Sequence, residues 1–255
     1  ISDSSVPIEA FGPTFQDRFD AMPEVVSLVK GPKEAYMAMA DKGAELCKKS
    51  LLKVFHQAFY SGCYIGFGGH LSMTVAGGIA HMAKDDPGLG TFVFAALFPV
   101  NLLIILLTGG VLITGAAAIV PAAVLEGKAH WSHIPKIFTV AWLGNLLGAV
   151  VFALLIQYAD MNEDVSDQKF DFNADSVKYP TASLTGYLAK KVAEKKIKKD
   201  FLQTFVKGVG CNWMVCMAVF LCGQAQDMAG KMVGIWFPIS CFVAIGFEHI
   251  PANMY

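Results

Sequence analysis

The residue that points most directly to chemistry is a histidine at the end of an apolar run. The run Met232–Phe247 stops at Glu248 and His249, and Pro251 follows two residues later. An ionisable side chain at membrane depth is costly and usually marks an ion path or a proton relay. Because the reference pKa of histidine is near ~6.5, an imidazole exchanges a proton around neutrality. His249 therefore predicts a proton-exchanging centre, and a core histidine bonded to a backbone carbonyl is the structural alternative.

Long apolar runs make up most of the chain around this histidine. Hydrophobic residues are 55% of the 255 residues and charged residues 16%, whereas soluble domains carry about 25% charged residues. A bilayer core about 30 Å thick needs about 20 apolar residues in helical form, and the runs lack the alternation of a barrel strand. We therefore predict an all-α membrane protein with five apolar stretches: Leu51–Met82, Thr91–Leu125, Ile134–Tyr158, Phe201–Cys222 and Met232–Phe247.

Two of these stretches carry interruptions that predict broken helices. Gly109, Gly110 and Gly115 lie in the middle of the second stretch, where glycine weakens a helix. We predict one break at about residues 109–115, followed by a half-helix Ala116–Leu125, and a second break at about residues 247–252. Unpaired N–H groups at such breaks carry partial positive charge, which favours an anion near the membrane centre.

The two halves of the chain resemble each other. The pattern Phe-x-Gln-x-Phe-x-x-Gly occurs at residues 55–62 and at residues 201–208. Phe98-Pro99 ahead of Gly109 similarly resembles Phe237-Pro238 ahead of Gly246. Three spans in the first copy would invert the second copy, an architecture typical of transporters with broken helices at the midplane.

These patterns divide the chain into two regions. Residues 1–50 form a polar segment that contains an amphipathic helix, Glu34–Leu52. Residues 51–255 form the transmembrane domain, which consists of a first repeat 51–158, a hydrophilic loop 159–200 and a partial second repeat 201–255. We expect a further half-helix and a sixth span after Tyr255.

Three motifs resemble those of the formate–nitrite transporter family. Gly246–Met254 (GFEHIPANM) resembles the family pattern GFEHxxANM, Gly210–Val219 resembles its fourth-span pattern, and Trp142–Ala149 resembles its third-span GNxxGA. The resemblance covers about residues 45–255. It implies an aquaporin-like subunit of six spans in an inverted repeat, one pore in each subunit, a ring of five subunits and no cofactor.

The resemblance also implies roles for individual residues. Thr114, in the opposite broken helix, would hydrogen-bond the imidazole of His249 or the substrate. Asn212 would lie near the pore, with an interhelical bond as the alternative. Lys196 would lie in the outer vestibule and attract anions, with a solvated lysine as the alternative. The residues expected at the pore constrictions, with core packing as their alternative, are Phe98, Leu102, Leu112, Ile113 and Phe242.

One segment departs from the family pattern. The acidic residue and the asparagine usual in the second-span loop are replaced here by Val111 and Ala116. We interpret the chain as a channel or transporter for small monovalent weak-acid anions such as formate, nitrite or lactate, linked to protons through His249. The departure keeps a non-conducting structural subunit of a membrane assembly as an alternative. A neutral-solute facilitator for water or glycerol is the other alternative.

The expected partners are a small anion, a proton, the lipid bilayer and other copies of the chain in a homopentamer. Small residues Gly144, Gly148 and Ala149 would allow close helix packing in that ring. The net charge of −1 implies no surface for nucleic acid, and no metal site or nucleophile–base pair points to an enzyme. We expect the chain to be a multi-pass membrane protein and a eukaryotic member of the family. Its expected location is the plasma membrane, with an organelle inner membrane as the alternative. Its N-terminus is expected in the cytoplasm.

Overall fold

The computed structural model describes residues 27–80, 82–161 and 181–255, and no strand lies within them apart from one isolated bridge. This confirms the predicted all-α class. The helices are α1 Pro32–Lys48, α2 Leu51–Gly78, α3 Met82–Asp85, α4 Pro87–Leu97, α5 Val100–Leu107, α6 Ile113–Leu125, α7 His133–Tyr158, α8 Thr181–Ile197, α9 Phe201–Gln224 and α10 Met228–Ala244, followed by a 3-10 turn Pro251–Asn253.

The helices long and apolar enough to cross a membrane are, within the described residues, α7, α9 and the combined segment Pro87–Leu107. Helices α6 and α10 are apolar but shorter, as expected for a helix that begins after a break and a helix that ends at one. Helix α2 has 28 residues, or about 42 Å at ~1.5 Å per residue. Its buried face is rich in glycine and serine rather than in large apolar side chains, which lowers its hydropathy.

Glycines bring α2 and α7 into close contact. A Cβ on Gly62 would lie 2.2 Å from the carbonyl oxygen of Asn145, and one on Gly148 would lie 1.9 Å from that of Phe59. A Cβ on Gly144 would lie 2.6 Å from another side chain of α2. The small residues of the third span, which we expected at the interface between subunits, therefore pack within the chain.

The predicted amphipathic helix Glu34–Leu52 is wrong in its extent, because two helices meet inside it. Ser50 caps the N-terminus of α2, where its Oγ accepts a hydrogen bond from the N–H of Lys53 at 3.3 Å. The first helix, α1, has ended two residues earlier, at Lys48. Helix α1 packs on α6 so closely that a Cβ on Gly43 would lie 1.9 Å from the carbonyl oxygen of Ile119.

The predicted hydrophilic loop 159–200 is wrong in its second part. Residues 162–180, with most of the acidic side chains, lie outside the described residues. Residues 181–197 form helix α8, in which Ser183, Leu184 and Thr185 are buried. A Cβ on Gly77 of α2 would lie 2.7 Å from the carbonyl oxygen of Leu184, so one face of this lysine-rich helix packs against α2.

The two breaks share one backbone geometry. Gly109 and Gly246 have left-handed φ angles of 76° and 77°, which glycine adopts without a Cβ penalty. In each case the next N–H bonds a carbonyl five residues back, from Gly110 to Ile105 at 2.8 Å and from Phe247 to Phe242 at 3.0 Å. This closure is typical of a helix C-terminus that ends in glycine.

The correspondence between the halves does not extend to the Phe-Pro pairs. Phe98 is buried at a gap between α4 and α5, whereas Phe237 is 70% exposed and Pro238 lies inside α10. The half-helix after the first break also begins earlier than predicted, at Ile113 rather than Ala116. The two Phe-Pro pairs therefore match in sequence, but they lie in different structural environments.

Candidate transport pore

The two breaks meet at a histidine and a threonine. The Nε2 atom of His249 and the Oγ1 atom of Thr114 are 3.0 Å apart, and both side chains are buried. His249 lies after α10, and Thr114 lies in the first turn of α6. The contact expected between the two broken helices is therefore present. The Nδ1 atom of His249 is buried and has no hydrogen-bond partner among the described residues.

Aromatic rings surround this histidine. The ring of Phe242 lies 5.5 Å from that of His249, and Phe98 meets Phe242 edge-on at 6.5 Å between ring centres. Phe98, Phe242, Leu102 and Leu112 belong to one buried apolar cluster. Four of the five predicted constriction residues thus lie in one cluster, and one of them, Phe242, borders His249.

Ile113, the fifth predicted constriction residue, does not join them. It packs on a second cluster, and its N–H donates to Oδ1 of Asn145 at 2.9 Å. Val111 and Ala116 are buried in the same second cluster, which includes neither Phe98 nor Phe242. Leu112 and Ile113 face different clusters because the chain enters the helix between them.

Two side chains that we did not assign from sequence hold the first break. The Nε2 of Gln57 donates to the carbonyl of Gly109 at 2.7 Å. Asn145, fully buried on α7, donates from Nδ2 to the carbonyls of Ala58 and Val111 at 2.9 and 3.0 Å. Since backbone groups in a membrane must find internal partners, these amides replace the missing helical bonds. Their positions inside the repeat pattern and the third-span motif were the available signals.

Ion pairs stabilise the second break. The carboxylate of Glu248 is buried and forms ion pairs with Lys196 and Lys199. It also accepts from Nδ2 of Asn253 at 3.1 Å, and its own N–H donates to the carbonyl of Lys207 at 3.4 Å. Lys196 therefore contacts Glu248 rather than standing alone, and sequence reasoning missed Lys199 and Asn253.

Asn212 is the predicted pore residue with the weakest link to this site. It is half-buried on α9, and its amide donates to Sγ of Cys216 at 3.6 Å, one turn further along the same helix. The contacts of the described residues do not join it to His249 or Thr114. In the same part of the chain, no group of three or more His, Cys, Asp or Glu could hold a metal ion.

Apolar helices with two breaks that meet at a buried histidine define a multi-pass membrane protein of the transporter or channel class. Comparison with known proteins identifies the family within this class. The family model described as Formate/nitrite transporter matches residues 33–255, so the chain belongs to the formate/nitrite transporter family. The match begins within α1, further upstream than the resemblance at about residue 45 indicated.

Individual relatives agree with this assignment. A probable formate transporter of Methanothermobacter thermautotrophicus is 40% identical over 215 residues, covering 83% of this chain and 76% of the relative. The formate-nitrite transporter of Plasmodium falciparum is 29% identical, covering 91% of this chain and 73% of the relative. Among solved structures, an FNT family ion channel superposes with a TM-score of 0.71 at 25% identity, covering 87% of this chain and 80% of that one.

A second solved structure is titled a pentameric formate channel with formate bound. It superposes with a TM-score of 0.63 at 27% identity, covering 81% of this chain and 73% of that one. The fold of this chain is therefore that of the family.

Proposed function

We propose that the chain carries small monovalent weak-acid anions such as formate, nitrite or lactate across a membrane, with a proton supplied at His249. The observation that carries the proposal is the buried contact between His249 and Thr114 beside the rings of Phe242 and Phe98. The names of the relatives and of the solved structures support the same class of substrate.

The chemistry follows from the cost of desolvation. A bare anion in a narrow apolar passage loses its hydration at a large cost in free energy, whereas the neutral acid loses far less. A histidine near neutrality can give a proton to the anion and take one back. The Thr114 hydroxyl orients the imidazole through Nε2. This leaves Nδ1, which has no hydrogen-bond partner among the described residues, available to the passing acid or to a water beside it.

The test is uptake of formate, nitrite and lactate into proteoliposomes between about pH 5 and 8, with and without a pH gradient. The wild-type protein is expected to transport faster on the acidic side. His249→Phe keeps a ring but cannot exchange a proton, so it should lose the pH dependence. His249→Asn keeps polarity and should lose it as well, and Thr114→Val should shift the profile by freeing the imidazole.

The matched control is His70→Phe. His70 is also buried, and its Nδ1 contacts the Tyr255 hydroxyl at 3.0 Å, away from the cluster around Phe242. This variant should keep the wild-type pH profile. A His249→Phe protein that transports at the wild-type rate with the wild-type profile would overturn the role of His249.

The lysines at the second break contribute to anion capture in this proposal. Lys196 and Lys199 together carry two positive charges against the single negative charge of Glu248. The group keeps a formal charge of +1, so it can draw an anion toward the pore even though Lys196 is paired. Asn212 has a lesser place in this proposal, as a residue that lines the path near α9.

We also propose that the chain assembles as a homopentamer, as the solved formate channel does by its title. Because Gly144 and Gly148 are used inside the chain, the interface would involve the exposed apolar face of α7, which includes Trp142, Leu147 and Leu154. The mass of the detergent-solubilised complex tests this, and a monomer or dimer would contradict it.

The plasma membrane stays our prediction for the location of the protein, which a fluorescent tag checks.

Transport of an anion is favoured over a structural subunit by the placement of the two substituted positions. Val111 and Ala116 fill an apolar cluster with Val54 and Ile137 rather than the space beside His249. If the wild-type protein transports none of the acids, Val111→Glu with Ala116→Asn separates a closed transporter from a structural subunit. Uptake of glycerol without any weak acid would instead indicate a neutral-solute facilitator.

A further inference from the structure

Three lysines converge on a small cavity at the end of α9 that lies away from Glu248. The cavity has a volume of about 190 Å³. Its lining includes Lys30, Lys42, Lys231 and Gln226, together with Cys222, which also belongs to the apolar cluster of the pore. Between Lys207, which contacts the Glu248 backbone, and Cys222, α9 rises about 22 Å at ~1.5 Å per residue. The cavity is therefore separate from the site at the second break.

Each lysine is held by a different element. Lys30 follows an antiparallel bridge between Val29 and Ala225, where its N–H donates to the carbonyl of Gln224 at 2.9 Å. The side chain of Gln224 returns a bond to the carbonyl of Lys30 at 3.0 Å. These contacts fix the segment before α1 against the end of α9.

The other two lysines come from helices. Lys42 lies on α1, which packs on α6 and α9. Lys231 lies in the first turns of α10, where its N–H donates to the carbonyl of Asp227 at 3.1 Å. The Asp227 carboxylate is occupied with its own helix, since it caps α10 by accepting from Gly230 at 2.8 Å.

The cavity carries three positive charges and no compensating carboxylate among its described lining residues. None of the three lysines forms an ion pair with another described residue, whereas Lys196 and Lys199 share Glu248. Like charges that line one cavity repel one another, and water at the exposed Lys42 side chain reduces this repulsion without removing it. An anion placed between the three ammonium groups would remove this cost and add charge-assisted hydrogen bonds.

We propose that this cavity binds a phosphate group, either of free phosphate or of the headgroup of an anionic lipid. Three ammonium groups on three elements match an oxyanion that carries more than one charge and several acceptor oxygens, and lysine binds phosphate as a point charge. The volume has room for about six water molecules at about 30 Å³ each, which suits a tetrahedral oxyanion with part of its hydration. This site does not depend on the proposed transport of weak acids.

The experiment measures the melting temperature of the purified chain in detergent while inorganic phosphate is titrated at constant ionic strength. Constant ionic strength is needed because salt screens surface charges. A ligand that binds the folded state raises the melting temperature in a saturable way. Each of Lys30→Gln, Lys42→Gln and Lys231→Gln should weaken phosphate binding about tenfold, and the triple variant should lose the effect.

The matched control removes three lysines outside the cavity, Lys33→Gln, Lys53→Gln and Lys136→Gln, which are exposed. This protein has the same net charge as the triple variant and should bind phosphate as the wild type does. A second arm replaces phosphate with phosphatidic acid in phosphatidylcholine nanodiscs. Stabilisation by phosphatidic acid alone, lost in the triple variant, would assign the phosphate group to a lipid.

Three results would overturn the proposal. One is equal stabilisation of the wild type and the triple variant by phosphate. Another is the absence of any stabilisation by phosphate and by phosphatidic acid in a wild-type protein that melts cooperatively. The third is equal stabilisation by acetate at the same concentration, since the site would then not distinguish a polyvalent oxyanion.

Discussion

The two breaks of this protein have the same backbone shape and opposite chemical supports. Both begin with a glycine at φ near +76° and close with the same type of hydrogen bond. At the first break, neutral amides of Gln57 and Asn145 bond the exposed backbone. At the second, the buried carboxylate of Glu248 is held by two lysines and an asparagine.

A broken helix in a membrane therefore needs partners for its backbone groups, but these partners can be neutral or charged. The first break is supported from inside the bundle, because Gln57 and Asn145 lie on α2 and α7. The second is supported from one end, because Lys196 and Lys199 lie just before α9. Neutral hydrogen bonds are little affected by salt, whereas ion pairs that water reaches are screened.

Removing the neutral hydrogen bonds at the first break should destabilise the protein most. Asn145→Leu keeps the size of the side chain but removes three hydrogen bonds and leaves the Ile113 N–H and the Val111 carbonyl without a partner. Each bond contributes about 1 kcal/mol, and an orphaned buried group costs about 1–3 kcal/mol. We expect the free energy of unfolding to fall by about 4 kcal/mol in a denaturant titration of the solubilised protein.

Asn212→Leu is the control for that measurement. Its amide has one long contact, to a sulfur, so its loss should cost less than about 1 kcal/mol. A similar fall for both variants would mean that Asn145 acts through general packing on α7 and not through the break.

The next effect tests the ionic support. Glu248→Gln leaves Lys196 and Lys199 beside a neutral group, and breaking a buried pair costs about 3–5 kcal/mol. We expect the lower end, about 3 kcal/mol, because the Lys196 side chain is 32% exposed and can turn toward water. The free energy of unfolding of the wild type should also fall more steeply with salt than that of the variant.

Two further proteins sharpen this test. Glu45→Gln makes the same change in a pair with Lys49 at 3.7 Å in which the Glu45 side chain is 73% exposed. Ion pairs that water reaches contribute little, so this variant should match the wild type. Adding Lys196→Met and Lys199→Met to Glu248→Gln should recover part of the lost stability. No recovery would show that Glu248 acts by its bond to Asn253 rather than by charge.

The smallest change in stability is expected from substitutions of the glycine that begins each break. A Cβ on Gly109 or on Gly246 would meet no atom within 4 Å, so alanine at either position costs only the left-handed conformation, about 1–2 kcal/mol. Gly109→Ala and Gly246→Ala should therefore lower the free energy of unfolding equally. Asparagine, which tolerates this conformation better, should cost less at both sites, and unequal alanine effects would contradict the equivalence of the two breaks.

The local features of this protein could be predicted from its residues alone. Apolar runs predicted the helices, and the glycines within residues 109–115 predicted the first break. The ionisable pair Glu248 and His249, followed by Pro251, predicted the second break and marked the site. Each of these features depends on residues close together in the chain. The motifs indicated the family, and the resemblance to that family predicted the contact between Thr114 and His249. Predictions from weaker local patterns, such as the loop at 181–197 and the helix Glu34–Leu52, were wrong because tertiary packing and a serine cap decided them.

The pairing of distant polar groups, in contrast, depends on how the whole chain packs. Asn145 reaches a break 32 residues away, Lys196 meets a carboxylate 52 residues away, and the Lys30 backbone contacts the Gln224 side chain 194 residues away. No local propensity specifies such pairings, because many lysines and amides in the chain could satisfy the same buried group. The packing of glycine faces and the directions of the helices select among them, so the partner of each buried polar group follows from the fold.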